Sequence, residues 1–272
     1  MKISFEFFPP NTEAGYGSLK KVHEQLSNFK PEYFSITYGA GGSTRERTLK
    51  GVNLLLEGEV PVAPHISCIG DSKETITELL DLYQSKGIHR LVALRGDLPS
   101  GQVGFGELPY ALDLVKFIRE HSGNHFHIEV AAYPEMHPQA QSFNQDIGNL
   151  IDKYEAGADA AITQFFYNVD AYLYLREKLS SAGIHKPLVP GIMPIINSSN
   201  LLRFASGCGA EVPRFIQKRL ADLGDDKTAI VEFGTEVVSR MCERLAREGV
   251  PSLHFYTMNK TEPTASILQN VL

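Results

Sequence analysis

The sequence predicts an α/β protein folded as a (β/α)8 TIM barrel. Short runs rich in β-branched and aromatic residues alternate with longer amphipathic stretches along the whole chain. Eight such runs can be counted, and 272 residues is an ordinary length for one barrel of eight strands and eight helices. An open, doubly wound sheet also uses alternating units, so the strand count alone leaves both architectures available.

The predicted strands follow one another at regular intervals, with one exception before the last strand. They cover residues 2–7, 33–37, 60–67, 90–94, 127–132, 160–164, 188–192 and 252–256. The long interval before the last strand is expected to hold an extra helical segment at about residues 197–248. Because neither a change in composition nor a low-complexity linker divides the chain, we expect a single barrel domain over residues 1–272.

Helix signals support this alternation. Apolar spacing predicts one helix from about Phe143 and the longest helix from about Asp226. The segment 71–74, Asp-Ser-Lys-Glu, is a typical helix start. The glycine-rich segment at residues 39–44 lacks the final glycine of a dinucleotide-binding fingerprint, so a turn that requires glycine is the better interpretation.

Composition narrows the class of protein. A net charge of −6 argues against nucleic acid as the main partner, and no apolar run is long enough to span a membrane. The three cysteines, Cys68, Cys208 and Cys242, form no CxxC pair, which argues against a disulfide framework or a structural zinc site. The chain enters its first strand without a basic and apolar leader, so we expect a cytoplasmic protein.

Alternation along the strands predicts which polar side chains point into the barrel. In the first strand Ile3, Phe5 and Phe7 share the face expected to pack on helices, so Glu6 should face the interior. The same reasoning, with Asp97 in the turn after the fourth strand, predicts a polar group near the carboxyl-terminal rim, where barrel enzymes place their chemistry. Its members are Glu6, Thr37, His65, Asp97, Tyr133 and Gln164.

Each of these residues also has a purely structural interpretation. Glu6 would be explained by a buried ion pair with Arg95, and His65 by a satisfied core histidine. Asp97 would be explained by a turn. A catalytic metal is not expected, because His65, Glu135 and His137 do not have the spacing of a metal motif. The convergence of the group therefore carries the functional interpretation.

Eight segments of the chain, in order from residue 3 to about residue 260, resemble the methylenetetrahydrofolate reductase family. They are SFEFFPP at 4–10, TYGA at 37–40, PHISC at 64–68, ALRGDLP at 93–99, AAYPEMHP at 131–138, ITQFF at 162–166, PGIMP at 190–194 and HFYTMN at 254–259. Together the segments cover nearly the whole chain. The resemblance implies the barrel fold, in agreement with the strand count.

The resemblance also implies the chemistry. A member of this family binds FAD, which takes hydride from NADH or NADPH and passes it, in a ping-pong sequence, to 5,10-methylenetetrahydrofolate to give 5-methyltetrahydrofolate. Glu6 would be the general acid that helps open the five-membered ring, which requires burial to raise the pKa of its carboxyl group. Asp97 would be the carboxylate near the flavin and the folate.

The remaining site residues are assigned by the same resemblance. Gln164, Phe204, Asn200 and Lys260 are the positions expected to contact the folate, with Phe204 packing on substrate or nicotinamide. For FAD, Lys153 would serve the pyrophosphate, and Asp146 and Asn149 would take hydroxyls. The full set of FAD positions is Thr37, Tyr38, Ala40, His65, Arg95, Gly96, Asp97, Tyr133, His137, Ala140, Asp146, Asn149 and Lys153.

Three positions depart from the pattern of some relatives. Asp152 stands where some carry arginine near the FAD, Asn200 where some carry glutamine, and Lys260 where some carry arginine. These differences bear on the adenosine end of the cofactor and on recognition of the folate. The chain also stops near residue 272, so the second, regulatory domain of the larger animal relatives is expected to be absent.

Other classes of barrel protein remain as alternatives. A flavin-free folate-binding barrel of a methyltransferase would leave Asp146, Asn149 and Lys153 without a reason to form a set. An aldolase or lyase normally needs a metal or a Schiff-base lysine, and no predicted strand carries a lysine in its interior. A non-catalytic scaffold does not explain the inward polar group. No clear basic cluster for a 2′-phosphate is visible, which favours NADH over NADPH, and association into homo-oligomers remains open.

Overall fold

The computed structural model describes residues 1–38, 42–96 and 106–272. Its strands are β1 (Lys2–Phe7), β2 (Phe34–Ile36), β3 (Val62–Ser67), β4 (Arg90–Leu94), β5 (His127–Ala132), β6 (Ala160–Thr163), β7 (Leu188–Val189), β8 (Gly191–Ile192) and β9 (Ser252–Tyr256). Its helices are α1 (Glu13–Ser27), α2 (Gly42–Leu55), α3 (Lys73–Ser85), α4 (Ala111–Ser122), α5 (Phe143–Glu155), α6 (Val169–Ser181), α7 (Ser198–Cys208), α8 (Arg214–Leu223), α9 (Lys227–Arg247) and α10 (Thr264–Val271).

The strands form a parallel barrel, which confirms the predicted fold class. Their order is β7-β6-β5-β4-β3-β2-β1-β9-β8, and every pairing is parallel. Nine strands replace the eight expected because the predicted strand 188–192 is divided at Pro190. Proline has no N–H to donate, so the ladder is interrupted there. β7 pairs with β6 and β8 pairs with β9, so the two short strands together close the ring.

The main hydrophobic core lies between the strands and the surrounding helices. Phe5 of β1 packs against Phe34 of β2 and Phe255 of β9, with ring centroids 5.7 and 6.1 Å apart. All three rings are buried. This confirms that the odd-numbered residues of β1 face the helices, and it leaves the alternate residues to line the barrel.

The barrel interior is lined by small apolar groups in its middle and by charged groups at its amino-terminal end. Val92, Ile162 and Val189 form a separate buried cluster inside the barrel. Toward the amino-terminal end, the Glu129 carboxylate accepts a 2.7 Å hydrogen bond from Arg90, and their ion pair is largely buried. The barrel interior therefore has an apolar middle layer with a buried ion pair on its amino-terminal side.

Helix starts follow the predicted signals. Ser72 accepts a hydrogen bond from the N–H of Thr75 and begins α3, and Asp226 accepts one from Ala229 and begins α9. α7, α8 and α9 all lie between β8 and β9, in the interval expected to hold extra helical structure. Among the helices of the described residues, none has the length and apolar character needed to cross a membrane.

Candidate active site

Glu6 lies at the carboxyl end of β1, beside Ser35 of β2 and Tyr256 of β9. Its side chain points into the barrel, as predicted, and keeps 16% of its surface exposed. Glu6 Oε2 lies 3.2 Å from Nε2 of His65 and 3.3 Å from Nε2 of His254. The structure thus surrounds this carboxylate with two buried imidazoles, and the ion pair considered with Arg95 is not what holds it.

The two imidazoles reverse the direction of the pKa shift that the sequence predicted for Glu6. Burial by itself raises the pKa of this carboxyl group, but His65 and His254 together outweigh burial and lower its pKa to about 2. The expectation of a raised pKa was therefore wrong, because it considered desolvation alone. Without bound ligand, Glu6 is a carboxylate at neutral pH, and any proton that it passes on belongs to the whole group of three side chains.

The contact between Glu6 and His65 is mainly electrostatic. Although the Nε2 of His65 lies 3.2 Å from the carboxylate, it is aligned poorly for a hydrogen bond and has no well-directed partner among the described residues. The His254 ring is better held, because its Nε2 contacts Glu6 and its Nδ1 lies 2.7 Å from Oγ of Ser4. His65 therefore retains the capacity to bond a ligand at the barrel mouth.

Sequence reasoning missed His254 and Tyr256 as site residues. Both were quoted in the motif of the last strand, but the alternation rule was not applied there. β9 pairs with β1 so that His254 lies beside Ser4 and Tyr256 beside Glu6. Tyr256 also donates a 2.7 Å hydrogen bond to the carbonyl of Thr163 on β6, which links the two strands that flank β7 and β8.

Gly191 makes the position of Tyr256 possible. A Cβ at Gly191 would lie 2.1 Å from the carbonyl oxygen of Thr163 and 2.7 Å from the ring and hydroxyl of Tyr256. Any side chain there would therefore displace the tyrosine from the barrel interior. Gly96, at the end of β4, is similarly restricted, because its φ is +84° and a Cβ would lie 1.9 Å from Oγ of Ser67.

A second group of predicted residues lies between the loop after β5 and helix α5. Asp146 accepts the backbone N–H of His137 at 2.8 Å, and the N–H of Ala140 bonds the carbonyl of His137 at 2.9 Å. The ring of His137 meets that of Tyr133 edge to face, with centroids 4.5 Å apart. Asn149 is exposed on the same helix. The loop that follows β5 is therefore tied to the first turn of α5.

Lys153 gives this group the character of an anion site. Its Nζ donates a 2.7 Å hydrogen bond to the carbonyl of Ala131, and within the described residues it forms no ion pair. Burial lowers the pKa of Lys153 to about 8, with Asp146 opposing the shift. A partly buried ammonium that is paired only with a carbonyl fits an anionic group such as a diphosphate.

The other FAD positions that the structure describes lie at the ends of β2, β3 and β4. The backbone N–H of Thr37 bonds the carbonyl of Phe7 at 2.9 Å. The hydroxyl of Tyr38 donates to Asp71 at 3.3 Å, and burial together with this carboxylate raises the pKa of Tyr38 to about 12. Arg95 bonds the carbonyl of Gly96. Ala40 and Asp97 lie outside the described residues.

The substrate positions are distributed around the barrel mouth. Gln164 follows β6 and lines a small cavity together with Tyr133 and Cys208. On α7, Asn200 accepts a 3.4 Å hydrogen bond from Arg203, whose guanidinium lies 5.1 Å from the centroid of the Phe204 ring. Lys260 is exposed after β9. Among the described residues, no hydrogen bond, ion pair or ring contact joins Asn200 or Phe204 to Gln164 or Lys260, so their grouping remains a prediction.

The fold and the site together define a class of protein. This parallel α/β barrel carries the Glu6 carboxylate, two imidazoles and the Lys153 ammonium near the carboxyl ends of its strands. Such an arrangement is typical of a barrel enzyme. Comparison with known proteins narrows this class, because the family model for methylenetetrahydrofolate reductase matches residues 1–272. The chain belongs to the methylenetetrahydrofolate reductase family.

Individual relatives agree with the family match. The chain is 40% identical over 268 residues to a 5,10-methylenetetrahydrofolate reductase of Pectobacterium carotovorum, an alignment that covers 98% of this chain and 89% of the relative. It is 40% identical over 270 residues to the Escherichia coli K12 enzyme of the same name, with the same coverage. The Arabidopsis thaliana protein called methylenetetrahydrofolate reductase (NADH) 1 is 37% identical, and the match covers 99% of this chain and 48% of the plant protein.

A solved structure shows a similar fold at low sequence identity. It is an uncharacterized protein from Clostridium thermocellum that binds two copies of 5-methyl-5,6,7,8-tetrahydrofolic acid. The TM-score is 0.68 at 19% identity, and the match covers 99% of this chain and 94% of that one. At this level of identity, the similarity supports the barrel fold alone.

Proposed function

We propose that this protein reduces 5,10-methylenetetrahydrofolate to 5-methyltetrahydrofolate, with FAD as bound cofactor and NADH or NADPH as hydride donor in a ping-pong sequence. The single observation that carries the proposal is the Glu6 carboxylate between His65 and His254 at the carboxyl end of the barrel. It supplies proton chemistry at the place where the family's one-carbon reaction needs it. Family membership supports the substrate and the cofactor.

The residues around α5 are those that would hold FAD. Lys153 would face the diphosphate of FAD, and Asp146 and Asn149 would form hydrogen bonds with its hydroxyl groups. Bound FAD would supply hydride transfer in both directions, from the nicotinamide and to the folate. Arg95 and Gly96, at the end of β4, would also contact FAD. Asp97 would lie near the flavin and the folate, as the family resemblance implies.

Glu6 would act on the folate. Opening of the five-membered ring needs a proton at the leaving nitrogen, and the Glu6 group holds it close to the barrel mouth. Gln164 offers an amide to the pterin or its linker, although its Oε1 already accepts the N–H of Phe165 at 3.0 Å. Phe204 would provide an apolar face for the substrate or the nicotinamide, and Asn200 and Lys260 would contact the folate.

The first test is the visible absorbance spectrum of the purified protein under anaerobic conditions. We expect a flavin spectrum that is bleached by NADH or NADPH and restored by methylenetetrahydrofolate. Comparing the two nucleotides at equal concentration assigns the donor, with NADH expected to react faster. A protein that stays colourless after incubation with FAD would contradict the cofactor and favour a flavin-free folate barrel.

A further inference from the structure

The carboxyl end of helix α7 is bound to the loop that follows β5. Oε2 of Glu135 in this loop accepts the backbone N–H of Glu211 at 2.8 Å. Glu211 lies two residues beyond Gly209, which caps α7. We call residues 133–142 the cofactor loop, because three of the positions assigned to FAD lie in it. A helix with proposed substrate residues therefore meets a loop with proposed cofactor residues.

Gly209 brings the helix and the loop close together. Its φ is +75°, in the left-handed region that favours glycine, and its N–H bonds the carbonyl of Ala205. A Cβ at Gly209 would lie 3.2 Å from Cγ of Pro138 and 3.6 Å from the carbonyl oxygen of Met136. A side chain there would push the two segments apart. This contact is separate from the hydrogen bond of Glu135.

The backbone of the cofactor loop is bent so that it reaches both α5 and α7. Met136 has a φ of +75°, which is unfavourable for a residue with a side chain. Before it in the chain, Glu135 bonds Glu211, and after it, the N–H of His137 bonds Asp146 on α5 at 2.8 Å. The unfavourable residue is thus held between two hydrogen bonds to different helical segments.

The surroundings of the Glu135 carboxylate are mostly unfavourable for its charge. Its Oε1 is buried and has no hydrogen-bond partner among the described residues. Burial raises the pKa of Glu135, the N–H of Glu211 opposes this shift, and the charge of Glu211 adds to it. The carboxyl end of a helix also disfavours a nearby negative charge. The contribution of this side chain therefore depends on what its bond to Glu211 positions.

That bond fixes the helix on which the proposed substrate residues Asn200 and Phe204 lie. At the start of α7, the side chain of Asn197 accepts the N–H of Asn200 at 2.8 Å. Leu201 and Ala205 pack in the main hydrophobic core. The cofactor loop then holds the other end of the helix. The position of Phe204 relative to the cofactor loop follows from these attachments.

We propose that Glu135 is a positioning residue that, together with Gly209, holds α7 on the cofactor loop and so fixes the substrate face of α7 relative to bound FAD. The inference rests on the proposed function in one respect, because that proposal assigns Phe204 to substrate and the loop to FAD. In this role Glu135 touches neither ligand. The narrow cavity between loop and helix, which Gln164 and Cys208 also line, does not admit a water molecule.

Loss of the Glu135 bond should weaken folate binding and leave the chemical step intact. The apparent affinity falls in proportion to the fraction of molecules in which α7 is in place. The loss of one hydrogen bond lowers such a fraction by about three- to tenfold. Bound folate selects the molecules in which α7 is in place, so the rate at saturating folate should not change. FAD affinity should also persist, because Asp146 holds the cofactor loop independently.

The first experiment measures reoxidation of the chemically reduced, FAD-loaded protein by methylenetetrahydrofolate in stopped flow. Varying the folate concentration gives a limiting rate and a half-saturating concentration for each variant. We expect Glu135→Ala to raise the half-saturating concentration by about three- to tenfold and to keep the limiting rate. Glu135→Gln should behave like wild type, since an amide oxygen accepts the same N–H without a buried charge.

Gly209→Ala tests the second contact and has a matched control. It should raise the same half-saturating concentration, because its Cβ would press on Pro138. Gly183 follows α6 with a φ of +80°, and a Cβ there would meet no atom within 4 Å. Gly183→Ala therefore introduces similar backbone strain without this contact and should leave folate binding unchanged. Equal effects of the two substitutions would mean that strain, and not the position of α7, weakens folate binding.

The second experiment measures the contact itself, by hydrogen exchange of the FAD-loaded protein without folate. The amide of Glu211 should be protected in wild type and in Glu135→Gln, and should exchange faster in Glu135→Ala. An unprotected Glu211 amide in wild type would overturn the proposal. So would a Glu135→Ala protein with normal folate binding, or one in which FAD affinity and the limiting rate fall together. A wild-type protein that does not reduce methylenetetrahydrofolate would instead contradict the proposed function, while hydrogen exchange would still test the contact.

Discussion

Lys153 donates a 2.7 Å hydrogen bond from Nζ to the carbonyl oxygen of Ala131, which joins helix α5 to the end of strand β5. The ammonium gains only this one described partner, and burial lowers its pKa to about 8. A cation in this condition is poised for an anionic ligand, because the ligand would restore the solvation that burial removed. We therefore expect Lys153 to contribute directly to binding of the cofactor's diphosphate.

Replacing Lys153 with glutamine should weaken FAD binding by at least about tenfold, since a charge-assisted bond to a phosphate contributes roughly 1.5–3 kcal/mol. Titration of the apoprotein, followed by quenching of flavin fluorescence, measures the change. In the wild type, affinity should fall as pH rises through about 8, because Lys153 then loses its proton. The variant should lack this dependence.

Lys186 provides a matched control for that substitution. Its Nζ also donates to backbone carbonyls, those of Tyr154 at 2.9 Å and Ala158 at 2.7 Å. Lys186→Gln therefore removes a structural ammonium that binds backbone carbonyls at the end of α5, on residues to which no role in FAD binding is assigned. Equal losses of FAD affinity in the two variants would mean that Lys153 also acts only through the fold.

Glu6→Gln should separate the two half-reactions. The variant should bind FAD and be bleached by reduced nicotinamide at nearly the normal rate, since neither step needs a proton from this side chain. Reoxidation by methylenetetrahydrofolate should slow by about 10²–10⁴-fold, the usual contribution of a general acid. Stopped-flow absorbance measures both steps in one preparation. Normal rates in both would remove Glu6 from the proton chemistry.

Much of the fold could be predicted because it depends on local periodicity. Strand alternation has a period of two, so the inward position of Glu6 follows from the residues next to it. The ends of β1, β4, β5 and β9 agree with the prediction, whereas β2, β3 and β6 are shorter by one or two residues. Pro190 interrupts the seventh strand because it lacks an N–H, a signal that was present in the sequence.

The environment of Glu6 could not be predicted in the same way. Ser4 and His254 are 250 residues apart in the chain, and they meet only because β9 closes the ring against β1 in one register. A shift of one residue would have turned His254 toward the helices. Without that register, burial was the only visible influence on Glu6, and it gave the wrong sign for the pKa shift.

The ion pair of Arg90 and Glu129 should matter for stability. The Glu129 carboxylate is 2% exposed and the Arg90 guanidinium 27%, so removing Arg90 leaves a buried carboxylate with the Tyr33 hydrogen bond but without its guanidinium partner. Arg90→Met should therefore lower the free energy of unfolding by roughly 3 kcal/mol, seen as a lower midpoint in urea. Lys20→Gln breaks a pair with Glu57 that is exposed on both sides and should leave the midpoint unchanged. Similar midpoints for the two variants would contradict this assignment.

Buried His23 should make the fold sensitive to acid. Its ring meets Phe34 edge to face at 4.6 Å, and its Nε2 has no hydrogen-bond partner among the described residues. Burial lowers the pKa of His23, so the folded state disfavours the imidazolium. The free energy of unfolding is therefore not reduced by this histidine above its unfolded pKa of about 6.5. It falls as the pH drops from there toward the lower pKa of His23 in the folded state, because the unfolded chain takes up the proton first.

Replacing His23 with leucine should therefore remove part of the acid sensitivity. The difference in unfolding free energy between pH 7.5 and pH 5 should be smaller in His23→Leu than in wild type, measured by urea unfolding at both values. His185→Gln is the control, because this residue is exposed and its loss should not alter the difference. An unchanged pH difference in His23→Leu would place the acid sensitivity elsewhere, whereas a reduced difference would show that the buried imidazole of His23 on α1 limits the stability of the fold in acid.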